Sequence, residues 1–152
     1  MEQAIGQKPF LNLVRNYPVA PEKVWRAWTD PQAVRKWWGP TSGEPVSLAE
    51  LDVRVGGRFR IAFGGADGRM HECAGEYREV VPNRKLVFTW SWPRSTPDRI
   101  SLVTVIFKAV NGGTELDFRH EQFFDEKARD DHKRGWTGVL DKLAEYLKAV
   151  AQ

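Results

Sequence analysis

Three histidines and a single cysteine give this sequence most of its scope for acid–base or ligand chemistry. His120 follows Leu116 and Phe118 at alternate positions, so in a strand its side chain points with theirs toward the interior. A buried imidazole needs hydrogen-bond partners, and it titrates near neutral pH. His120 is therefore either a polar contact for a ligand, able to donate or accept a proton, or a structural core histidine satisfied by its neighbours.

His132 lies four residues before Trp136 and three after Arg129, in a stretch with helical periodicity. These three side chains are expected on the helix face that meets the sheet at the mouth of a pocket, unless the first turn of the helix is exposed to water. The neighbouring pair Asp130-Asp131 is expected to complement the positive N-terminal end of the helix dipole.

His71 and Cys73 share one face of a predicted strand, and together with His120 they could supply nitrogen and sulfur ligands to a metal. Zinc sites usually show tighter spacing and three or four ligands, so we expect neither a metal nor another cofactor. Glu72 and Glu76 fall on the opposite face of the strand and are expected in solvent.

Motifs for catalysis are not apparent. The glycine pairs Gly56-Gly57 and Gly64-Gly65 are not followed by Lys-Ser or Lys-Thr, so they predict turns rather than a phosphate-binding loop. The sequence also contains no Gly-x-Ser-x-Gly elbow and no His-Glu-x-x-His helix. An enzyme is not indicated, although the pattern does not decide the question.

The composition predicts one globular domain over residues 1–152, with one core. The net charge of +3 is spread along the chain without a run of like charges, which argues against nucleic-acid binding. Neither a signal peptide nor a run of 18 apolar residues is present, and the one cysteine cannot form an internal disulfide. We therefore expect a cytoplasmic protein without membrane insertion.

Hydrophobic periodicity and turn residues predict a strand, two short helices, six further strands and a long C-terminal helix. Pro21 and Pro31 each begin a short helix, and Gly39-Pro40 ends the second. The predicted strands are Phe10 to Tyr17, Val46 to Val53, Arg58 to Phe63, Met70 to Val81, Leu86 to Trp92, Ser101 to Val110 and Thr114 to Phe123, and the final helix runs from Glu126 to Ala149. The expected fold class is α+β, with a curved antiparallel sheet of about seven strands wrapped around the long helix.

Strand alternation directs several aromatic side chains toward the face that the last helix must cover. Trp25 and Trp28 are expected in the core, whereas Trp37 and Trp38 are adjacent and should not both point into it. The residues predicted to bind a ligand between the sheet and the helix are Trp38, Phe59, Phe63, His71, Phe88, Trp90, Phe118, His120, His132 and Trp136.

The order of elements resembles the helix-grip fold of the START and pollen-allergen superfamily. Several motifs are similar to its branch of activator-of-Hsp90-ATPase-like proteins, from about Asn12 to Leu147. They are Val24-Trp25-Arg26-Ala27-Trp28-Thr29-Asp30-Pro31, Trp37-Trp38-Gly39-Pro40, Asp52 with Gly56-Gly57, Asp67-Gly68, Gly75-Glu76-Tyr77, and His132 with Gly135-Trp136.

This resemblance implies an internal cavity for lipids, sterols, polyketides or other apolar molecules. We therefore expect the binding of a small apolar or aromatic ligand. A first alternative is a stress-related module that binds a chaperone, although the eukaryotic co-chaperones of this family carry a further N-terminal domain for which we expect no room here. A second alternative is a cyclase- or aromatase-like enzyme in which His120, His132 or Tyr77 moves protons.

The size of the cavity distinguishes these alternatives. A pocket of several hundred cubic ångströms would favour ligand binding, and an interior filled by side chains would favour the interaction module. The sequence leaves the oligomeric state open, a homodimer included.

Overall fold

The computed structural model describes residues 8–38, 46–64 and 68–151. Its elements, in chain order, are β1 (Leu11–Tyr17), α1 (Pro21–Thr29), α2 (Pro31–Trp37), β2 (Val46–Leu51), β3 (Arg58–Gly64), β4 (Met70–Val81), β5 (Lys85–Trp92), β6 (Thr96–Val110), β7 (Gly113–Glu121) and α3 (Glu126–Val150). The predicted turn residues Gly39, Pro40, Gly65 and Asp67 lie outside the described residues.

The seven strands form one antiparallel sheet in the order β1-β7-β6-β5-β4-β3-β2. This confirms the predicted α+β class, with a curved sheet and a long final helix. The strand β6 begins five residues before the predicted Ser101, because Thr96 already pairs with Trp92 across the β5–β6 hairpin. The register shifts between Trp90 and Trp92, and this irregularity admits the longer strand.

Short polar side chains and prolines begin the helices. Pro21 and Pro31 stand in the first turns of α1 and α2, where proline's missing N–H costs no hydrogen bond. For α3 the N-cap is Asp125, whose carboxylate accepts from the backbone N–H of Ala128 at 2.8 Å. The role expected of Asp130-Asp131 therefore belongs to Asp125, because α3 begins one turn before that pair.

The long helix α3 packs against the sheet and against α1 and α2. Its buried residues recur at helical spacing, and they are Trp136, Val139, Leu140, Leu143 and Leu147. Tyr17 ties β1 to the middle of this helix, since its hydroxyl donates to the Leu140 carbonyl at 3.2 Å. None of the helices among the described residues is long and apolar enough to cross a lipid bilayer.

Two expectations about individual side chains are wrong. Trp37 and Trp38 are both buried, because α2 ends at Trp37 and the extended backbone of Trp38 turns its ring inward as well. Glu72 is only 8% exposed, because the arginines Arg60 and Arg94 cover it at 3.0 and 3.2 Å. The hydrogen bond from Arg60 is the main reason that the pKa of Glu72 is lowered.

Candidate functional site

His120 lies in β7, a strand with partners on both sides, and is completely buried. The indole N–H of Trp136 donates to its Nδ1 at 3.0 Å, and its Nε2 lies 2.7 Å from the hydroxyl oxygen of Ser101 on β6. An indole nitrogen can only donate, so Nδ1 must be the acceptor and Nε2 carries the proton. The three side chains thus join β7, β6 and α3, and both ring nitrogens of His120 are engaged.

His132 is held in the opposite tautomer by a second indole. Trp92 on β5 donates to His132 Nε2 at 2.9 Å, so His132 Nδ1 carries the proton and donates it to the Ala128 carbonyl at 2.7 Å. The ring centroids of His120 and His132 are 5.3 Å apart. The predicted position of His132 beside Trp136, facing the sheet, agrees with this arrangement.

The surroundings of both imidazoles favour the neutral form. Burial lowers the pKa of His120 well below its usual 6.5, and the proximity of His132 adds to the shift. Burial also lowers the pKa of His132. Protonating either ring would turn its accepting nitrogen into a donor facing an indole N–H, so one hydrogen bond would be lost with each added proton.

A cleft of about 50 Å³ adjoins His132 where the β5–β6 hairpin meets the beginning of α3. This volume can hold a few water molecules or one functional group of a larger molecule. The cleft is lined by Trp90, Trp92, Thr96, Arg99, Ser101, Gln122, Phe123, Phe124, Ala128 and His132.

Among these lining residues, Trp90 has a buried hydrogen-bond donor without an acceptor in the described part of the chain. It is 4% exposed, and its buried indole N–H has no acceptor among the described residues. A buried donor without an acceptor typically costs about 1–3 kcal/mol. Trp28 shares this property, but it lines a different and smaller space of about 10 Å³ beneath α2, near the lower limit for one water molecule.

In the interior predicted to hold a ligand, aromatic side chains pack against one another. The centroids of Phe118 and Trp136 are 4.4 Å apart, and those of Phe59 and Phe88 are 5.2 Å apart. These four side chains are at most 4% exposed. Their rings contact one another where a ligand was expected, because aromatic side chains from several strands converge on the same helix.

The other predicted residues lie around this cluster. His71 and Phe63 flank Trp92, with centroid distances of 6.3 and 6.2 Å, so they approach the site from β4 and β3. Trp38 packs edge-on against Trp136 at 5.6 Å. Arg129 pairs with the adjacent Asp130 at 2.7 Å and is not among the cleft-lining residues.

The described residues hold no group of three or more histidine, cysteine or acidic side chains arranged for a metal ion. Cys73 is completely buried, and burial raises the pKa of its thiol. Its side chain on strand β4 belongs to the buried core and does not reach the protein surface.

Several cleft residues were not selected from the sequence. Ser101 could have been found, because it continues the inward alternation of Val103, Val105 and Phe107 just as His120 continues that of β7. Arg99 and Phe124 offered no such signal. They approach one another only in the fold, where the guanidinium lies 3.9 Å above the centre of the Phe124 ring.

A profile of the family described as Activator of Hsp90 ATPase homolog 1-like protein (AHSA1) matches residues 18–148. The chain belongs to the AHSA1 family. It is 26% identical over 109 residues to the human protein "Activator of 90 kDa heat shock protein ATPase homolog 1". That alignment covers 70% of this chain but only 27% of the human protein.

Solved structures of similar proteins share the whole AHSA1-family fold. A Chromobacterium violaceum protein is 29% identical, with a TM-score of 0.82 over 91% of this chain and 96% of that one. An AHSA1 protein from Silicibacter pomeroyi is 30% identical, with a TM-score of 0.81 over 95% and 100% of the two chains. An AHSA1-like protein from Aeromonas hydrophila, 24% identical with a TM-score of 0.81 over 94% of each chain, supports the fold alone.

The motif formed by His132 and Gly135-Trp136, one of those that carry the family resemblance, has a structural role in this AHSA1-family chain. His132 and Trp136 both lie on the α3 face that meets the sheet, where each is hydrogen-bonded to a side chain of that sheet. Gly135 lies between them with open space around the position of a Cβ, so packing alone does not require a glycine there.

Proposed function

We propose that this protein binds a small aromatic or apolar molecule that inserts a polar group into the cleft beside His132. The observation that carries the proposal is that Trp90 lines the cleft and that its buried N–H has no acceptor among the described residues. A ligand acceptor such as a carbonyl oxygen would satisfy this donor and remove the cost of its burial.

The walls of the cleft suit an aromatic ligand. Trp92 and Phe123 line the interior, and Phe124 is 60% exposed at the cleft. Since typical small-molecule pockets measure about 300–1,000 Å³, a space of about 50 Å³ accepts one group of such a ligand. The remainder of the molecule would lie against the exposed ring of Phe124.

Two substitutions by phenylalanine on α3, at Ala128 and at Ala149, test this location. Ala128 lines the cleft, whereas Ala149 is exposed near the far end of the same helix. We expect 2-naphthylacetamide to bind the unmodified protein at submillimolar concentration, and Ala128→Phe to weaken binding at least about 10-fold by filling the cleft. Titration followed by saturation-transfer NMR measures both affinities.

Ala149→Phe should bind like the unmodified protein. Equal affinities for the two phenylalanine variants would place the ligand elsewhere. If neither 2-naphthylacetamide nor its carboxylic acid bound the unmodified protein, ligand binding at this cleft would be wrong.

A second candidate is an interaction with an Hsp90-type chaperone. It is favoured by membership of the AHSA1 family and by the filled interior around Phe118 and Trp136. On this proposal the protein raises the rate of ATP hydrolysis by purified Hsp90, the activity in the printed name of the human relative. The Ala128→Phe variant should raise the hydrolysis rate as much as the unmodified protein does, because on this proposal the chaperone does not bind in the cleft. An unchanged hydrolysis rate at saturating protein would exclude this candidate.

A further inference from the structure

The cleft beside His132 contains hydrogen-bond donors that a ligand could engage. Trp92 Nε1 and both ring nitrogens of His132 are already paired. Ser101 accepts from His120 and donates weakly to the Trp90 carbonyl at 3.4 Å. The Trp90 indole N–H is buried without an acceptor among the described residues, and the guanidinium of Arg99 also lines the cleft.

Arg99 is oriented by an aromatic ring rather than by a carboxylate. Its guanidinium lies 3.9 Å above the centre of the Phe124 ring, and no acidic side chain among the described residues is within ion-pair distance. A guanidinium that lies over a ring still has its N–H groups available, and these can bind both oxygens of a carboxylate.

No acidic residue lines the cleft. Asp125, which follows Phe124, has its carboxylate hydrogen-bonded to the backbone of Ala128 at 2.8 Å. His132, which lines the cleft, accepts from the Trp92 indole and is therefore in its neutral form, so Arg99 provides the only full charge among the lining residues that the structure describes. An anionic group would therefore meet attraction there without a competing carboxylate.

We infer that the cleft selects ligands bearing a carboxylate, which pairs with Arg99 at the mouth and accepts from the Trp90 indole N–H. This inference rests on the proposed ligand-binding function and names the chemical class of the ligand, a small aromatic or apolar carboxylic acid. Thr96 and Gln122, which also line the cleft, can donate to the same oxygens.

The test compares 2-naphthylacetate with 2-naphthylacetamide, which have nearly the same shape and differ in charge. We expect the acid to bind about 10-fold more tightly than the amide at neutral pH. Arg99→Gln should abolish this preference and leave the affinity for the amide little changed. The preference should also shrink as salt is added, because Arg99 is exposed and its charge is screened.

Arg78→Gln is the matched control, since Arg78 is exposed on β4 and does not line the cleft. It should retain the full preference for the acid. A preference that disappears equally in both variants would reflect the net charge of the protein and would overturn the role of Arg99.

The Trp90 contact has a separate readout in the indole N–H resonances of ¹⁵N-labelled protein. We expect the resonance that is missing in Trp90→Phe to shift downfield when 2-naphthylacetate is added. If the amide and the acid bind equally and Arg99→Gln changes neither affinity, the inference is wrong while ligand binding stands. If neither probe binds, both proposals fail together.

Discussion

Replacing Trp136 with alanine is expected to lower the free energy of unfolding by about 5 kcal/mol. The Trp136 ring is 4% exposed, and its centroid lies 4.4 Å from that of Phe118 and 5.1 Å from that of Trp90. The substitution leaves a large cavity at the meeting point of the sheet with α3. It also removes the donor to His120 Nδ1, so a buried acceptor loses its partner.

Two further variants separate packing from hydrogen bonding. Trp136→Phe keeps an aromatic ring but removes the indole N–H, so we expect a smaller loss of about 1–3 kcal/mol. Trp25→Ala removes a half-buried tryptophan that packs on Phe107 at 5.4 Å, and it should cost less than Trp136→Ala. Urea unfolding followed by circular dichroism measures all three. Equal losses for Trp25→Ala and Trp136→Ala would contradict a central role for Trp136.

The free energy of unfolding should fall as the pH drops below about 6.5, by at most about 1.4 kcal/mol per pH unit for each histidine that stays neutral in the folded protein. Both His120 and His132 have pKa values lowered by burial, so the unfolded chain takes up protons at a pH where the folded protein does not. This stability is fully present above the unfolded pKa of about 6.5 and is lost progressively at lower pH. His132 contributes over a narrower range, since its pKa is lowered less than that of His120.

The range between about pH 5 and 6.5 isolates the histidines. Glu72 and Asp131 also have lowered pKa values, but theirs start from 4.5 and 3.8, so the stability that they contribute is lost at more acidic pH. Chemical unfolding at several pH values measures the slope, and His132→Gln should reduce it. A free energy of unfolding that stays constant from pH 7 to pH 5 would show that both rings accept protons without loss of structure.

The fold could be predicted because strand alternation and helical periodicity can be read from short stretches of the sequence. Alternating apolar residues and turn residues located the strands, and β4 was predicted with the observed bounds, Met70 to Val81. The helical spacing of Trp136, Val139, Leu140 and Leu143 predicted α3 and the face that it buries. These patterns are informative because a strand or helix must turn one continuous face toward the core, whatever its neighbours are.

The same logic located His120 in the interior and His132 beside Trp136, but it could not assign their partners. Each ring is held by an indole from a different element, so the tautomers depend on how α3 lies across β5 and β7. The pairing of Arg99 with Phe124 likewise arises between the β5–β6 hairpin and the segment before α3.

By itself the sequence determined the class of fold, the order of its elements and which faces are buried, because periodicity is a local property of the chain. Only the tertiary structure decided that Trp37 and Trp38 are both buried, that Glu72 is covered by two arginines and that the expected pocket is filled around Trp136. Each of these outcomes depends on side-chain volumes and charges brought together from separate elements. A pattern along one strand or helix does not contain that information.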